Sequence, residues 1–237
     1  MSKHYAISDL HGCYNIYEQV CAMLKPDDIV YFLGDAGDRG YAGWALIKAI
    51  CDNPQWVYIK GNHDEFAANS MIEINEHEVP SFNYEFSIWM NNGGQSTYED
   101  WRNDGQPISY AYELKKKPIL ITYENPQGKI LRLCHAGYTP GKNSDLLWDR
   151  QHFYNAWTGE KNEIIIHGHT PIPFFMRKVP SWQKKNSEYK IAVDYCGGHK
   201  INIDNGVFFT GCAVLLDLDT LDEIILYDKS GKVEINE

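Results

Sequence analysis

Five short segments of the sequence combine aspartate, histidine or asparagine with glycine, and together they could hold metal ions. They are Asp9-Leu10-His11-Gly12, Gly34-Asp35-Ala36-Gly37-Asp38-Arg39-Gly40, Gly61-Asn62-His63-Asp64, His135-Ala136-Gly137 and His167-Gly168-His169-Thr170. Oxygen and imidazole ligands without a thiolate suit Mn²⁺, Fe or Zn²⁺ better than Ca²⁺. A bridging carboxylate can hold two ions about 3.5–4 Å apart, the separation typical of two-metal phosphoryl transfer. The predicted chemistry is therefore activation of water and neutralisation of charge on a phosphoryl group.

Each segment has an ordinary explanation when it is considered alone. An aspartate after a strand commonly caps the next helix, and Asp38-Arg39 is typical of a surface ion pair. Asn62 and His63 suit a turn, and a single histidine such as His135 is commonly a satisfied buried side chain. Five such segments in order, each after a predicted strand, make chance a poor explanation.

Each segment directly follows a run of β-branched or aromatic residues that predicts a strand. The nine predicted strands are 5–8, 29–33, 56–59, 130–134, 163–166, 190–193, 201–203, 212–218 and 223–227. The last two read as a hairpin, and amphipathic patterns at 14–24 and 41–51 predict helices between the early strands. Such βαβ units imply parallel pairing, which brings the five segments to one edge of the sheet.

The predicted fold class is α/β, with two packed mixed β-sheets flanked by helices. The helix-poor later strands predict the second sheet. The polar, Asn-rich stretch 66–128 predicts a helical cap insertion, with helices near 65–75, near 83–91 and from Ser96 onward. Lys115-Lys116-Lys117 reads as a solvated edge. With 237 residues, we expect a single domain over 1–237.

Composition restricts the partners and the compartment. The net charge of −10 disfavours general nucleic-acid binding. A phosphorylated protein, peptide, small molecule or nucleotide remains compatible, because bound cations reverse the field locally. Six scattered cysteines without a C-x-x-C pair favour a reducing compartment. We read no signal peptide and no membrane span, and we expect a cytoplasmic protein.

The five segments together resemble the signature of the calcineurin-like metallophosphoesterases. The G-D-A-G-D-R-G block resembles the phosphoprotein phosphatase branch of that superfamily. Residues 89–94 with Thr97 resemble a segment often found in bacterial members, and residues 146–150 and 201–206 resemble later blocks of the same branch. Asp64 stands where the animal enzymes usually have Glu, which is typical of the bacterial and phage Ser/Thr protein phosphatases.

The resemblance implies two divalent metal ions, with Mn expected and Fe or Zn as alternatives. The implied ligands are Asp9, His11, Asp35, Asn62, His135 and His169, with Asp35 as the bridge. It also implies hydrolysis of phosphate monoesters, including phosphoserine and phosphothreonine, by a metal-bridging water or hydroxide.

The resemblance further implies four catalytic residues. His63 protonates the leaving alkoxide as general acid, and Asp38 orients it and keeps it protonated. Arg39 and Arg150 clamp the phosphoryl oxygens, for which the guanidinium fork is well shaped.

Three other residues receive structural interpretations. The family pattern fixes only the histidine before Thr170, so we expect His167 to support the site or the fold without binding metal. We expect His199 to be a loop residue and Cys13 to be a packing residue at a helix start.

Four other functions share part of this pattern. A dinucleoside tetraphosphate hydrolase has the same metal motifs, and nothing in the core separates it securely. A phosphodiesterase or nuclease is disfavoured by the acidic charge and the D-R-G block. A catalytically silent metal-binding scaffold has no need of His63, Asp38 or Arg39. A dinucleotide-binding domain is disfavoured because no G-x-G-x-x-G follows the first strand.

Overall fold

The computed structural model describes residues 2–77, 84–175 and 189–232. The strands in these residues are β1 (His4–Ile7), β2 (Ile29–Phe32), β3 (Trp56–Tyr58), β4 (Leu120–Glu124), β5 (Ile130–Cys134), β6 (Glu163–His167), β7 (Val193–Tyr195), β8 (Lys200–Asn202), β9 (Cys212–Asp217) and β10 (Glu223–Tyr227). The helices are α1 (Tyr14–Met23), α2 (Gly43–Asp52), α3 (Asn62–His77), α4 (Tyr84–Trp89), α5 (Gln95–Asn103), α6 (Ile108–Lys116), α7 (Ile172–Phe175) and α8 (Val207–Thr210). A π-helical turn at Met90–Gly94 joins α4 to α5, and short 3₁₀ helices lie at Gln151–Tyr154 and Cys196–Gly198.

The strands form two five-stranded mixed sheets, which confirms the predicted fold class. The first sheet, sheet A, has the order β10-β9-β1-β2-β3, and the second, sheet B, has the order β4-β5-β6-β8-β7. In sheet A, β1, β2 and β3 are parallel, and β9 is antiparallel to β1. In sheet B, β5, β6 and β8 are parallel, with antiparallel β4 and β7 at the edges.

Alternation along β1 shows why the sheets pack as they do. Successive side chains of a strand point to opposite faces. Tyr5 and Ile7 join the core that lies beneath the helices, whereas Ala6 joins the core that contains side chains of both sheets. Each face of sheet A is therefore buried, and its parallel strands read as continuous apolar runs.

The hairpin predicted at 212–227 is present as β9 and β10. It extends sheet A, whereas the sequence suggested that the late strands would form the second sheet. The reason is that β1 would otherwise present an unpaired edge, which β9 fills through Tyr5–Asp217 and Ala6–Leu216.

The strand predicted at 190–193 is wrong in position, since β7 begins at Val193. The backbone N–H groups of Lys190, Ile191 and Ala192 donate to the carboxylate of Glu223. A side chain thus takes the place of a neighbouring strand.

The stretch 66–128 is helical near the predicted places, in α3, α4 and α5, although residue 83 lies outside the described residues. It also contains α6 and β4, neither of which was predicted, and β4 is an edge strand of sheet B. Lys115 and Lys116 are exposed as expected. Lys117 instead lies over the ring of Tyr58, with its ammonium nitrogen 5.7 Å from the ring centroid.

Candidate metal centre and active site

The five segments meet beyond the carboxyl ends of β1, β2, β3, β5 and β6. Backbone hydrogen bonds join the first two loops, from Asp9 N–H to the Gly34 carbonyl (3.0 Å) and from His11 N–H to the Asp35 carbonyl (3.0 Å). Gly168 packs so closely on the first loop that a Cβ there would collide with the side chains of Ser8 and Asp9. The loops are therefore held in register by their backbones.

Six of the predicted site residues have left-handed backbone conformations. Their φ angles are 53° at Asp9, 41° at His11, 61° at Asp35, 71° at Asp38, 62° at Arg39 and 68° at His169. Such conformations cost a non-glycine residue on the order of 1–3 kcal/mol and concentrate at functional sites. A structural turn would more commonly use glycine or asparagine at these positions.

The six predicted metal ligands, which we call the front cluster, are buried. They are Asp9, His11, Asp35, Asn62, His135 and His169, each at most 7% exposed. Oδ2 of Asp35 lies 3.8 Å from Nε2 of His11 and 3.4 Å from Nε2 of His135. Oδ1 of Asn62 lies 2.8 Å from Nε2 of His135 and 2.9 Å from Nδ1 of His169.

Two carbonyl oxygens fix the tautomers of front-cluster histidines. Nδ1 of His11 lies 2.9 Å from the Gly37 carbonyl, and Nδ1 of His135 lies 2.8 Å from the Leu33 carbonyl. A carbonyl only accepts, so each Nδ1 carries a hydrogen, which leaves each Nε2 as the nitrogen that could bind a metal ion beside Asp35. Backbone support of this kind is usual for metal-binding histidines.

Four residues of the front cluster, together with His63, form two candidate ligand groups that share one carboxylate. His11, Asp35 and His63 bring ligand atoms within 4.8 Å of one another, and so do Asp35, His135 and His169. Asp35 therefore has the position expected of a bridge. Oδ2 of Asp9 accepts hydrogen bonds from the Ser8 hydroxyl and from the backbone N–H of His169 (3.0 Å), which ties it to the second group.

The electrostatics of the front cluster fit divalent cations. Burial raises the pKa of Asp9 to about 6. Burial alone would lower the pKa of His135, but the carboxylates of Asp35 and Asp9 raise it to about 10. Nε2 of His169 is buried without a hydrogen-bond partner among the described residues. These carboxylates and lone pairs all favour additional positive charge, which metal ions would supply.

The guanidinium of Arg39 reaches the same place. Nη1 lies 2.6 Å from Nε2 of His11, and Nη2 lies 2.7 Å from Nε2 of His63. A cationic group thus stands where the lone pair of His11 would bind metal. Arg39 is exposed and packs over Phe208, 5.4 Å from the ring centroid. The guanidinium therefore lies between two site histidines at the exposed mouth of the site.

His63 and Asp38 form a buried pair beside the front cluster. Nδ1 of His63 lies 2.7 Å from Oδ2 of Asp38. Burial opposes protonation of His63, but the nearby carboxylates of Asp35 and Asp38 outweigh it and raise its pKa. Although His63 lies within reach of the first ligand group, this partner suits it to hold a proton.

A family model described as calcineurin-like phosphoesterase matches residues 3–202, which include every residue predicted for the site. The chain belongs to the calcineurin-like phosphoesterase family. Members of this family use a dinuclear divalent metal centre, and the shared carboxylate of Asp35 provides candidate ligands for one. None of the curated proteins matches the sequence.

Solved structures resemble this phosphoesterase over nearly its whole length. A proposed diadenosine tetraphosphatase has a TM-score of 0.59 at 13% identity, covering 97% of this chain and 95% of that one. A cold-active protein-tyrosine phosphatase of a psychrophilic Shewanella species has a TM-score of 0.58 at 14% identity, covering 96% and 78%. A metallophosphoesterase from Sphaerobacter thermophilus has a TM-score of 0.55 at 14% identity, covering 98% and 90%. At these identities the likeness shows the fold.

Arg150 lies at the rim of the phosphoesterase site. Its Nε donates to the hydroxyl of Thr170 (3.2 Å), directly after His169. The exposed ring of Trp148 stands edge-on to His169, with ring centroids 5.9 Å apart. The structure therefore brings the second predicted arginine to the same opening as Arg39.

Four residues near the site were not predicted to take part in it. Trp89 and Thr97 both contact Asp38, and Gly93 contacts Arg39. Asp204 is buried, with Oδ2 unpartnered among the described residues, and burial and the charge of Asp9 raise its pKa well above the ordinary range. The sequence contained a signal for each, because all four lie in blocks that resemble the family.

Behind the metal ligands lies a second buried group, which we call the rear cluster. It consists of His152, His167, Tyr195 and Lys200. Nδ1 of His167 donates to the Gly168 carbonyl (3.0 Å), so Nε2 of the same ring is an acceptor. It accepts a hydrogen bond from the Tyr195 hydroxyl (2.8 Å). The Tyr195 hydroxyl in turn accepts a hydrogen bond from Nδ1 of His152 (2.9 Å). Both nitrogens of His167 are engaged here, in agreement with the interpretation of His167 as a supporting residue.

His199 and Cys13 also have the structural surroundings expected of them. Nδ1 of His199 donates to the Glu163 carbonyl (2.9 Å), and its ring stacks on Trp157 with centroids 4.5 Å apart. Cys13 is buried at the start of α1, and burial raises the pKa of its thiol to about 12. Cys13 is therefore a protonated packing residue.

No helix among the described residues combines the length and the apolar character that crossing a membrane requires.

Proposed function

We propose that this phosphoesterase is a phosphatase that hydrolyses phosphate monoesters, with phosphoserine and phosphothreonine side chains of proteins as its substrates. The observation that carries the proposal is the His63–Asp38 pair, 2.7 Å apart, directly beside the carboxylate of Asp35. Serine and threonine leave as strongly basic alkoxides, so their esters need a proton donor next to the metal centre.

The family resemblance assigns the residues that would hold the metal ions, and four of them lie in the two ligand groups. Asp9, His11 and Asp35 would hold the first ion, and Asp35 with Asn62, His135 and His169 would hold the second. When bound, the ions polarise the phosphoryl group and supply an activated water. We propose Mn as the metal, because mixed carboxylate, amide and imidazole ligands suit it.

The remaining steps belong to side chains of the protein. His63 donates its proton to the ester oxygen as the P–O bond breaks, and Asp38 keeps the imidazole oriented and charged. Arg39 and Arg150, at the mouth of the site, bind the phosphoryl oxygens. Because these two arginines bind the group common to all monoesters, specificity must come from contacts to the rest of the substrate.

The partner in this proposal is a phosphorylated protein or peptide in the cytoplasm, and the type is the bacterial and phage Ser/Thr protein phosphatase. The acidic net charge of −10 supports a discrete phosphate group as substrate over a nucleic acid.

A substrate panel tests the proposal. We would load the protein with Mn²⁺, Fe²⁺ or Zn²⁺ and compare kcat/KM for phosphoserine, phosphothreonine and phosphotyrosine peptides, an aryl phosphate, a bis-aryl phosphate diester and diadenosine tetraphosphate. The proposal expects the phosphoserine and phosphothreonine peptides to lead, with Mn²⁺ most effective. A clear preference for diadenosine tetraphosphate or for the diester would overturn it.

A further inference from the structure

We propose that Trp89 is a positioning residue that fixes the general acid through Asp38. This inference rests on the proposed acid role of His63. The indole Nε1 donates to both carboxylate oxygens of Asp38, at 3.0 Å and 2.9 Å, and one of those oxygens is also the partner of His63. Trp89 is fully buried, and Asp38 and His63 are nearly so. Hydrogen bonds therefore link Trp89 to Asp38 and Asp38 to His63. Because all three side chains are buried, water does not compete for these hydrogen bonds.

The indole N–H is well suited to this task because it can only donate. A carboxylate that holds His63 by one oxygen can still rotate about its Cβ–Cγ bond, since that torsion is broad. A donor centred on both oxygens limits this rotation. The orientation of His63 toward the ester oxygen therefore depends on Trp89 as well as on Asp38.

Neighbouring residues hold the indole in place. A Cβ at Gly94 would lie 2.5 Å from Cδ1 of Trp89 and would collide with its Nε1, so only glycine leaves room for the ring. Phe86 and Tyr98 contact the ring edge-to-face, with centroids 6.2 Å and 6.1 Å away. These contacts therefore fix the indole ring with its N–H directed at the carboxylate of Asp38.

The segment 89–97 makes two further contacts to the same loop. The hydroxyl of Thr97 accepts from the backbone N–H of Asp38 (2.7 Å), and the carbonyl of Gly93 accepts from the backbone N–H of Arg39 (3.0 Å). Asp38 and Arg39 both have left-handed φ angles, which need such support. The helical stretch after α3 thus reaches the reacting centre through three hydrogen-bonding residues.

The chain offers a matched control in Trp101. It is also fully buried, it lies in α5 of the same stretch, and its Nε1 has no hydrogen-bond partner among the described residues. Trp89→Phe and Trp101→Phe therefore remove the same atoms from similar surroundings, and only the first removes a hydrogen bond to Asp38.

We expect Trp89→Phe to lower kcat about tenfold on an alkyl phosphate, because hydrogen bonds to charged groups are strong enough for a loss of this size. On a nitrophenyl phosphate the loss should stay within about twofold, since that leaving group departs without a proton. Gly94→Ala should give the same selective loss by displacing the indole. Trp101→Phe should leave the alkyl-to-aryl ratio unchanged, with metal content equal in all variants.

Two results would overturn the proposal. One is an equal loss on alkyl and aryl phosphates in Trp89→Phe, which would mark a general structural role. The other is a kcat that stays unchanged on both substrates in Trp89→Phe and in Gly94→Ala. If either variant fails to fold, the other still decides the question.

A double-mutant cycle and a spectrum separate this inference from the proposed function. In an Asp38→Asn background, Trp89→Phe should cause little further loss, whereas additive losses would show that Trp89 acts independently. In NMR spectra, the indole N–H signal of Trp89 should shift in Asp38→Asn and that of Trp101 should not. If His63→Asn loses kcat equally on alkyl and aryl phosphates, His63 is not the general acid and the proposed function fails. A shifted Trp89 signal would then show only that Trp89 contacts Asp38.

Discussion

His167 and His169 are two residues apart at the end of β6, yet they belong to different buried clusters. In the front cluster, imidazole nitrogens and carboxylate oxygens converge on Asp35, and Nε2 of His169 has no hydrogen-bond partner among the described residues. In the rear cluster, His152, Tyr195 and His167 form a chain in which each donor meets an acceptor. Nε2 of His152 is also buried without a hydrogen-bond partner among the described residues. The two groups thus differ in their carboxylates, which the front cluster contains and the rear cluster lacks.

A shifted pKa alone does not identify a metal site in this protein. Burial lowers the pKa of His167 to about 3, and it lowers that of the buried Lys200 to about 8. The rear cluster thus has strongly shifted groups although it contains no carboxylate. Convergence of ligand atoms on a shared carboxylate is the more specific signal, and the front cluster has it.

The largest effect on activity should come from the shared carboxylate. Asp35→Asn removes the charge that both ligand groups have in common, so the protein should lose at least one metal ion. We expect kcat on an aryl phosphate to fall about 10³-fold, since a bound metal stabilises the transition state by several kcal/mol. Elemental analysis and turnover check this, with His167→Ala as the control. If Asp35→Asn kept two metal ions and near-normal turnover, Asp35 would not be the bridging ligand.

The next largest effect should come from the proton donor. His63→Asn should keep both metals and lower kcat about 10²–10⁴-fold on alkyl phosphates. The loss on a nitrophenyl phosphate should be much smaller. Steady-state kinetics on both substrates measure this, and Arg39→Ala, which should weaken both alike, is the control. Equal losses in His63→Asn, or loss of a metal ion, would place His63 among the ligands of the front cluster.

A smaller effect concerns pH. Only protonated His63 can donate, so kcat on alkyl phosphates should fall as the pH rises through its pKa, which nearby carboxylates raise. Asp38→Asn removes one cause of the increase and should move this alkaline limb to lower pH. The pH profiles of kcat for the two proteins test the direction. A limb that stays in place would show that Asp38 does not set the charge of His63.

The smallest effect on activity should come from the rear cluster. His167→Ala should change kcat by less than about tenfold while the metal content stays the same. It should lower the free energy of unfolding by about 1–3 kcal/mol, because the buried Tyr195 hydroxyl loses its acceptor. Denaturant unfolding of the metal-free protein measures this. A variant that lost metal at unchanged stability would move His167 into the front cluster.

Much of the fold could be predicted because it is encoded locally. The strands that precede the five segments lie within a residue or two of their predicted places, since each is a short apolar run that ends at a glycine-rich turn. The site residues come together for the same reason, because the carboxyl ends of neighbouring strands share one edge.

The failures concern features that depend on distant residues. The run 190–192 resembles a strand but binds Glu223 from β10. β4 is an edge strand with a weak pattern, and it depends on β5 for its hydrogen bonds. The hairpin β9–β10 extends sheet A only because β1 has a free edge there. None of these partners can be read from the local sequence.

The contacts of Trp89 were missed for a related reason. The block around Gly93 and Gly94 was visible in the sequence, but its glycines and Thr97 also suit an ordinary helix junction. Only the tertiary structure brings it against Asp38, about fifty residues earlier in the chain.

Because β1 lies in the middle of sheet A, its two neighbouring strands are synthesised at very different times. Because synthesis proceeds from the N-terminus, His4–Ile7 is made long before its partner β9, which spans Cys212–Asp217. Every candidate metal ligand has been made once His169 is added, so the ligands are complete while one edge of β1 still lacks its partner strand. The family match also ends before β9, at residue 202. A chain that stopped there would contain all six candidate ligands but would leave β1 open to pairing with another chain.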